Sequence, residues 1–145
     1  MSCPLCQQIE LAKTGKHPRI IADMRRTVAV LGDNQGLRGW CVLILKRHEE
    51  HLADLPLDDQ MALFREVAMV GNAVRAVCQA SRVNYECLGN QVAHVHWHVI
   101  PRYGPDKDPD PANPVWGFDP AKLKGSMTDA EAADLIMRLR ATVGK

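Results

Sequence analysis

No apolar stretch in this sequence approaches the roughly 20 residues that a helix needs to cross a bilayer. The opening residues Met1-Ser2-Cys3-Pro4-Leu5-Cys6 lack the basic segment and apolar run of an export signal, so a cytoplasmic location is expected. Excess charge is missing too: 18 Lys and Arg stand against 17 Asp and Glu, for a net charge of +1. Such a chain generates no general field for a polynucleotide or a membrane surface, yet it can still take a small phosphate ligand. There is no internal repeat and no sign of a second domain. A chain of 145 residues is one domain by size and can bury a core without disulfides. Five cysteines is an odd number, and with no export signal unpaired thiols in a reducing compartment are expected. Cys41, Cys78 and Cys87 lie in apolar stretches and read as small core residues.

What is present reads as a single α+β domain over residues 1–145. The segment from Cys3 to Lys13 can form a short helix with Pro4 in its first turn. Ile20-Ile21 and Thr27 to Leu31 read as strands, with a turn at Gly32 to Gly36. Trp40 to Leu45 is a near-continuous apolar run, expected as a central strand. Asp58 is a plausible N-cap. Behind it Met61, Phe64, Val67, Ala68, Gly71, Val74 and Cys78 recur at helical spacing and predict a long helix to about Ala80 with these residues in the core. Tyr85 to Leu88 and Val92 to Arg102 are expected strands around a Gly89-Asn90 turn. Five prolines between Gly104 and Pro120 (Pro105, Pro109, Pro111, Pro114 and Pro120) predict an irregular loop over 104–120. Thr128-Asp129-Ala130-Glu131 is a capping box that opens a last helix, about 128–143, with Leu135, Ile136, Leu139 and Val143 inward. Strands, a long helix, more strands and a terminal helix predict a mainly antiparallel sheet.

The chemistry concentrates in His94-Val95-His96-Trp97-His98. On a strand, alternate residues share a face, so the three imidazoles are expected in a row, opposite Val95, Trp97 and Val99. Half of the 6 histidines fall here, and each brings two ring nitrogens that need partners, so core packing does not explain them. One metal bound by all three is disfavoured, because a rise of about 3.3 Å per residue puts the outer two roughly 13 Å apart. Acid–base catalysis by a single histidine leaves two unexplained. Nucleophilic attack on phosphorus by the central imidazole, flanked by two that bind or protonate, uses all three.

The segment Gly89-Asn90-Gln91-Val92-Ala93-His94-Val95-His96-Trp97-His98-Val99-Ile100-Pro101-Arg102 resembles the signature of the histidine triad (HIT) superfamily. The resemblance extends through Gly39-Trp40-Cys41-Val42-Leu43-Ile44-Leu45-Lys46-Arg47-His48 and covers about residues 3–102. The stretch from Asn84 to Gly89 and Pro114-Val115-Trp116-Gly117 are similar to a bacterial branch labelled diadenosine polyphosphate hydrolases. The resemblance implies a HIT-like fold, with a five-stranded sheet, one long helix and a C-terminal helix. It also implies a homodimer and attack on the α-phosphate of a nucleotide derivative through a nucleotidyl-histidine. By position, His96 is then the nucleophile and His98 a phosphate-binding partner. His94 is a support or a metal ligand. Asn90 stands at the family's phosphate-binding glutamine, with Gln91 beside it, and Asp33 at a ribose-binding residue. Trp40 replaces a histidine that orients the nucleophile. Trp116 either stacks on a base or pins the proline-rich segment.

Some relatives bind structural zinc through a Cys-x-x-Cys pair and two histidines. Here the matching set is Cys3, Cys6, His48 and His94, with His51 the alternative to His48. A Cys2His2 set suits zinc, whereas a redox role needs a βαβ context that is missing. The alternative is two surface thiols and two solvated histidines. No organic cofactor is expected. Three functions compete: a nucleotidyl hydrolase or transferase, most readily of a dinucleoside polyphosphate such as diadenosine tetraphosphate; a nucleotide-binding regulator weakened by Trp40 and Asn90; and a zinc-dependent scaffold.

Overall fold

The computed structural model describes residues 3–145; Met1 and Ser2, the first two residues of the domain expected over 1–145, lie outside the described residues. The elements in order are α1 (Pro4–Lys13), β1 (Ile20–Asp23), β2 (Thr27–Leu31), β3 (Cys41–Leu45), α2 (Leu57–Cys78), β4 (Arg82–Glu86), β5 (His96–Arg102), α3 (Pro120–Leu123) and α4 (Asp129–Thr142). Two 3-10 turns add Leu52–Asp54 and Val115–Gly117. The strands form one antiparallel sheet in the order β1-β2-β3-β5-β4. This is the expected α+β architecture with five strands.

Period-two alternation sorts the sheet residues onto two faces. Ala29, Leu31, Cys41, Leu43, Leu45, Trp97 and Val99 face α2 and α4 and form the main core with Leu63, Val67, Val70, Val74, Leu135 and Leu139. Val28, Val30 and Ile44 face the other way and meet Leu5, Ile9 and Ala12 of α1. The register pairs Ile44 with His96 and Val42 with His98, so both histidines stand on the α1 face. A third cluster of Leu37, Trp40, Ile100, Val115 and Phe118 lies beneath the proline-rich segment.

Glu66 ties α2 to the β1–β2 turn. Its carboxylate, 8% exposed, accepts from the Arg26 and Thr27 amides at 2.9 Å each and from the Thr27 hydroxyl at 2.7 Å. Arg102 anchors the proline-rich segment. Its guanidinium donates to Asp108 (2.7 and 3.2 Å), to Asn84 Oδ1 (2.8 Å) and to the carbonyls of Asp110 (2.7 Å) and Asn113 (2.8 Å). Phe118 stacks against the same group.

Several sequence expectations are corrected. The last strand begins at His96, not Val92, because the Val95 amide bonds the Glu49 carbonyl (2.7 Å) and the His94 amide turns back to Val92. β4 covers 82–86 rather than 85–88. The long helix is capped by Pro56, not Asp58, and ends at Cys78 because Gln79 takes the left-handed conformation, φ 54°. Met61, Phe64 and Ala68 of the predicted core stripe face solvent, and Leu63, Val70 and Ala73 are buried instead. Cys41 is buried, whereas Cys78 and Cys87 are half-buried at the edge of the core. The 104–120 segment is irregular as predicted, apart from its one 3-10 turn and the start of α3 at Pro120. The capping box at Thr128 and Glu131 forms as read, and Val143 packs against the core from just beyond α4.

Candidate active site

β5 is an inner strand, and its α1 face opens into a cleft of about 750 Å³. His96 and His98 line it beside Asp33, Asn90, Gln91 and Trp116. Each of these was singled out from the sequence, and the fold brings them to one cavity although they come from four parts of the chain. Gly89 makes the approach of the Asn90-Gln91 turn feasible: its φ of +70° is one that L side chains rarely adopt.

The hydrogen bonds assign the ring nitrogens. His96 Nδ1 lies 2.6 Å from the His94 carbonyl, which can only accept. Nδ1 therefore carries a proton, and in the neutral tautomer the lone pair is on Nε2. His98 Nδ1 lies 3.1 Å from the Trp40 indole nitrogen, which can only donate. His98 is thus held with Nδ1 as acceptor and Nε2–H as donor. Burial, and then the neighbouring His96, lower His98 to about 4, so it is neutral at physiological pH. The two imidazoles meet edge to face with centroids 5.2 Å apart.

Trp40 does not orient His96; its side chain orients His98. The Trp40 ring also meets Trp116 edge-on at 5.8 Å, and Trp116 meets His98 at 5.4 Å. Trp116 donates its indole N–H to Glu86 of β4, which pins the proline-rich segment beside His98 while leaving the ring 50% exposed along the cleft. The turn that carries Trp40 is organised by Gln35. This buried amide donates to the Gly32 and Trp40 carbonyls (2.8 and 3.0 Å) and accepts from the Gly39 amide (2.9 Å).

His94 precedes the strand and is fully buried. Its ring stays on the α1 side with His96 and His98, but it packs against Cys3 and Cys6 instead of lining the cleft. Its Nε2 lies 2.7 Å from the Leu45 carbonyl, so Nε2 is protonated and Nδ1 offers a lone pair. That lone pair meets Cys3 Sγ at 3.4 Å, Cys6 Sγ at 3.5 Å and His48 Nδ1 at 3.2 Å, and Cys6 Sγ lies 3.3 Å from His48 Nδ1. All four donor atoms fall within 4.8 Å of one another. A tetrahedron with metal–ligand bonds of zinc length has edges of about 3.3 Å between nitrogens and about 3.6 Å between nitrogen and sulfur. The donor set therefore fits such an ion. His51 caps a 3-10 turn in an exposed position and is not in the group.

Sequence reasoning missed part of the cleft wall. Leu5, Gln8 and Leu11 of α1 line it, with His17 and Arg19 just before β1. Burial lowers the pKa of His17 and the Asp33 charge opposes that shift; both residues line the cleft. Arg19 spends one guanidinium nitrogen on the Gly32 carbonyl at 3.0 Å. Pro4 in the first turn made α1 legible as an element, but nothing in its sequence marked which residues the sheet would leave facing a cavity.

An antiparallel sheet whose inner strand presents two histidines to a cleft, with a third one step before the strand, defines a histidine-triad protein. Residues 14–104 match the HIT domain, and the chain belongs to that family. Its members work on nucleotides, as hydrolases and transferases. No curated protein matches the sequence. Among solved structures, a histidine triad protein from Bradyrhizobium japonicum is 24% identical with a TM-score of 0.75, over 86% of this chain and 89% of that one. One from Sinorhizobium meliloti is 25% identical with a TM-score of 0.75, over 86% and 88%. A zinc-bound histidine triad family protein from Mycobacterium smegmatis is 22% identical with a TM-score of 0.71, over 97% and 94%. Among the described residues no helix is long and apolar enough to cross a membrane.

Proposed function

We propose that the chain hydrolyses or transfers the nucleotidyl group of a small nucleotide derivative, with His96 as the nucleophile. One observation carries this reading: the bond from His96 Nδ1 to the His94 carbonyl selects the tautomer whose lone pair is on Nε2, in a cleft large enough for a nucleotide. Nε2 attacks the α-phosphorus and forms a P–N bond as the bond from phosphorus to the leaving group breaks. The leaving group departs with the bonding pair and takes up a proton. Water then attacks the same phosphorus, the P–N bond breaks, and a nucleoside monophosphate leaves with His96 restored. His98 Nε2–H donates to a non-bridging oxygen, and being neutral it does so without titrating near pH 7. Asn90 and Gln91 add amide donors, Asp33 takes the ribose hydroxyls, and Trp116 offers a flat surface to the base or leaving group.

A dinucleoside polyphosphate such as diadenosine tetraphosphate is the proposed substrate, in keeping with the resemblance of Asn84 to Gly89 and of Pro114 to Gly117 to that bacterial branch. A nucleoside phosphoramidate is the second reading, favoured by the charges: Arg19 and Asp33 are the two charged residues lining the cleft, and they cancel. A polyphosphate tail gains little from such a field, whereas an amine leaving group does not need one.

Cys3, Cys6, His48 and His94 would hold zinc, whose contribution is a structural cross-link between α1 and the sheet. The bond from His94 Nε2 to the Leu45 carbonyl is the kind that fixes a metal-binding imidazole. A homodimer would use the exposed row Leu57, Met61 and Phe64 on α2 together with Tyr85 on the edge strand β4.

The test is mass spectrometry on wild type and His96→Ala given diadenosine polyphosphates and adenosine phosphoramidate. Wild type should release nucleoside monophosphate and show a nucleotidyl adduct after acid quench, and His96→Ala should show neither. Tight nucleotide binding by wild type without turnover refutes the enzyme and leaves the regulator reading. Relative rates choose the leaving group.

A further inference from the structure

Helix α1 takes part in both sites. Cys3 is its N-cap and Cys6 lies in its first turn, and both thiols belong to the donor tetrad. Leu5, Gln8 and Leu11 of the same helix face the cleft. The helix packs three buried residues on Val28, Val30 and Ile44 of the sheet. It has 10 residues, a length at which an isolated helix is marginal in water. Its N-cap side chain makes no capping bond to the helix and its first turn carries no acidic residue. Its buried residues are Leu5, Ile9 and Ala12. Thiolates at Cys3 and Cys6 would put negative charge at the positive end of the helix, where a capping side chain is missing.

A second link runs through His94. Its Nδ1 is in the tetrad, while its backbone carbonyl accepts from His96 Nδ1. Fixing the His94 side chain from Nδ1 and Nε2 also fixes the carbonyl that sets the tautomer of His96.

We infer that Cys3 and Cys6 are positioning residues for the nucleotide: the loaded tetrad fixes α1 as a wall of the cleft, so metal occupancy and nucleotide affinity are coupled. This rests on the nucleotide and zinc readings above. Coupling between two sites is reciprocal, so nucleotide must raise metal affinity by the factor by which metal raises nucleotide affinity. A zinc ion that merely cross-links the fold at a distance from the ligand has no such effect on a folded protein.

The experiment measures adenosine monophosphate binding by calorimetry on zinc-loaded and chelator-stripped protein, with circular dichroism to follow folding. Zinc affinity is measured by competition with a chromophoric chelator, with and without saturating adenosine monophosphate. Stripping should weaken nucleotide binding about tenfold or more, within the usual range of coupled sites, and nucleotide should tighten zinc by the same factor. Leu11→Ala and Gln8→Ala should keep full zinc content and lose nucleotide affinity. Should the stripped protein unfold, the zinc-affinity shift and these two variants still decide the matter. Unchanged zinc affinity in the presence of bound nucleotide overturns the inference alone. Failure to take up zinc overturns the metal reading, and zinc-loaded protein that ignores nucleotide overturns the nucleotide reading.

Discussion

Asp108→Asn should cost far more than a loop substitution normally does. Asp108 is 1% exposed and Arg102 is 3% exposed, and the pair is joined at 2.7 and 3.2 Å. The substitution keeps the shape of the side chain and removes the charge, so the guanidinium stays buried without a counter-charge. Breaking a buried pair in this way costs about 3–5 kcal/mol. Arg102 retains Asn84, Asp110 and Asn113 as neutral acceptors, which argues for the lower end, about 3 kcal/mol. For a domain of this size that corresponds to a fall in Tm of about 10 °C. Asp110→Asn is the control, because the Asp110 carboxylate bonds the exposed Asn113 amide; it should change stability by less than about 0.5 kcal/mol. pH gives a second signature. Burial pushes the Asp108 carboxyl up, but hydrogen bonds from Arg102 and from the Tyr103 and Asp110 amides, with the guanidinium charge, hold it below its ordinary value. The gain is therefore fully present above the unfolded carboxyl value of about 3.9 and is lost as pH falls through the lower folded value. Wild type and Asp108→Asn should converge in acid. Thermal and urea melts measure all of this. A Tm difference under about 3 °C near neutral pH, well short of the 10 °C derived above, would refute the assigned role of the pair.

Three further outcomes follow from the site and its supports. The His98 ring should titrate near 4 by NMR; since an unfolded histidine titrates at about 6.5, stability should decline as pH drops from 6.5 toward 4, and a midpoint above 6 contradicts the burial argument. Trp40→Phe removes the donor to His98 Nδ1 at 3.1 Å, a bond worth about 1 kcal/mol, so turnover should fall about fivefold with little change in KM, and a wild-type rate would mean the tautomer is set elsewhere. Glu66→Leu strands the Arg26 and Thr27 amides and the Thr27 hydroxyl and should cost about 3 kcal/mol in urea, a loss below 1 kcal/mol being incompatible with those bonds carrying the β1–β2 turn.

The elements most legible in the sequence were those whose pattern is local. The capping box before α4, Pro4 at the head of α1 and the apolar run of β3 all form where expected. The site residues were legible as a set because alternate histidines on a strand must share a face, and His96 and His98 do. His94 keeps that side but stands outside the ladder, because the Glu49 carbonyl captures the Val95 amide and the Leu45 carbonyl captures the His94 ring, so pairing starts at His96, four residues later than the strand expected from Val92. The stripe on α2 misled for a related reason. Apolar spacing finds the hydrophobic side of a helix without saying what covers it, and Met61 and Phe64 face outward while Glu66 is buried by a turn it caps. The role of Trp40 was hidden because its partner, His98, is set by strand register and not by sequence distance.

The pairing of β3 with β5 has a consequence for how the molecule assembles. β1 with β2, β2 with β3, and β4 with β5 join strands that are neighbours along the chain. β3 with β5 brings together positions as far apart as Trp40 and His98, separated by 58 residues. Contacts of that span carry a larger loop-closure cost than those between strands adjacent in the chain. The two halves, β1-β2-β3 and β4-β5, meet along the β3–β5 seam, where Ile44 pairs with His96 and Val42 with His98. The bond from Trp40 to His98 and the cleft wall that β3 supplies through Val42 both depend on that one long-range seam, whereas the bond from His96 to the His94 carbonyl is local.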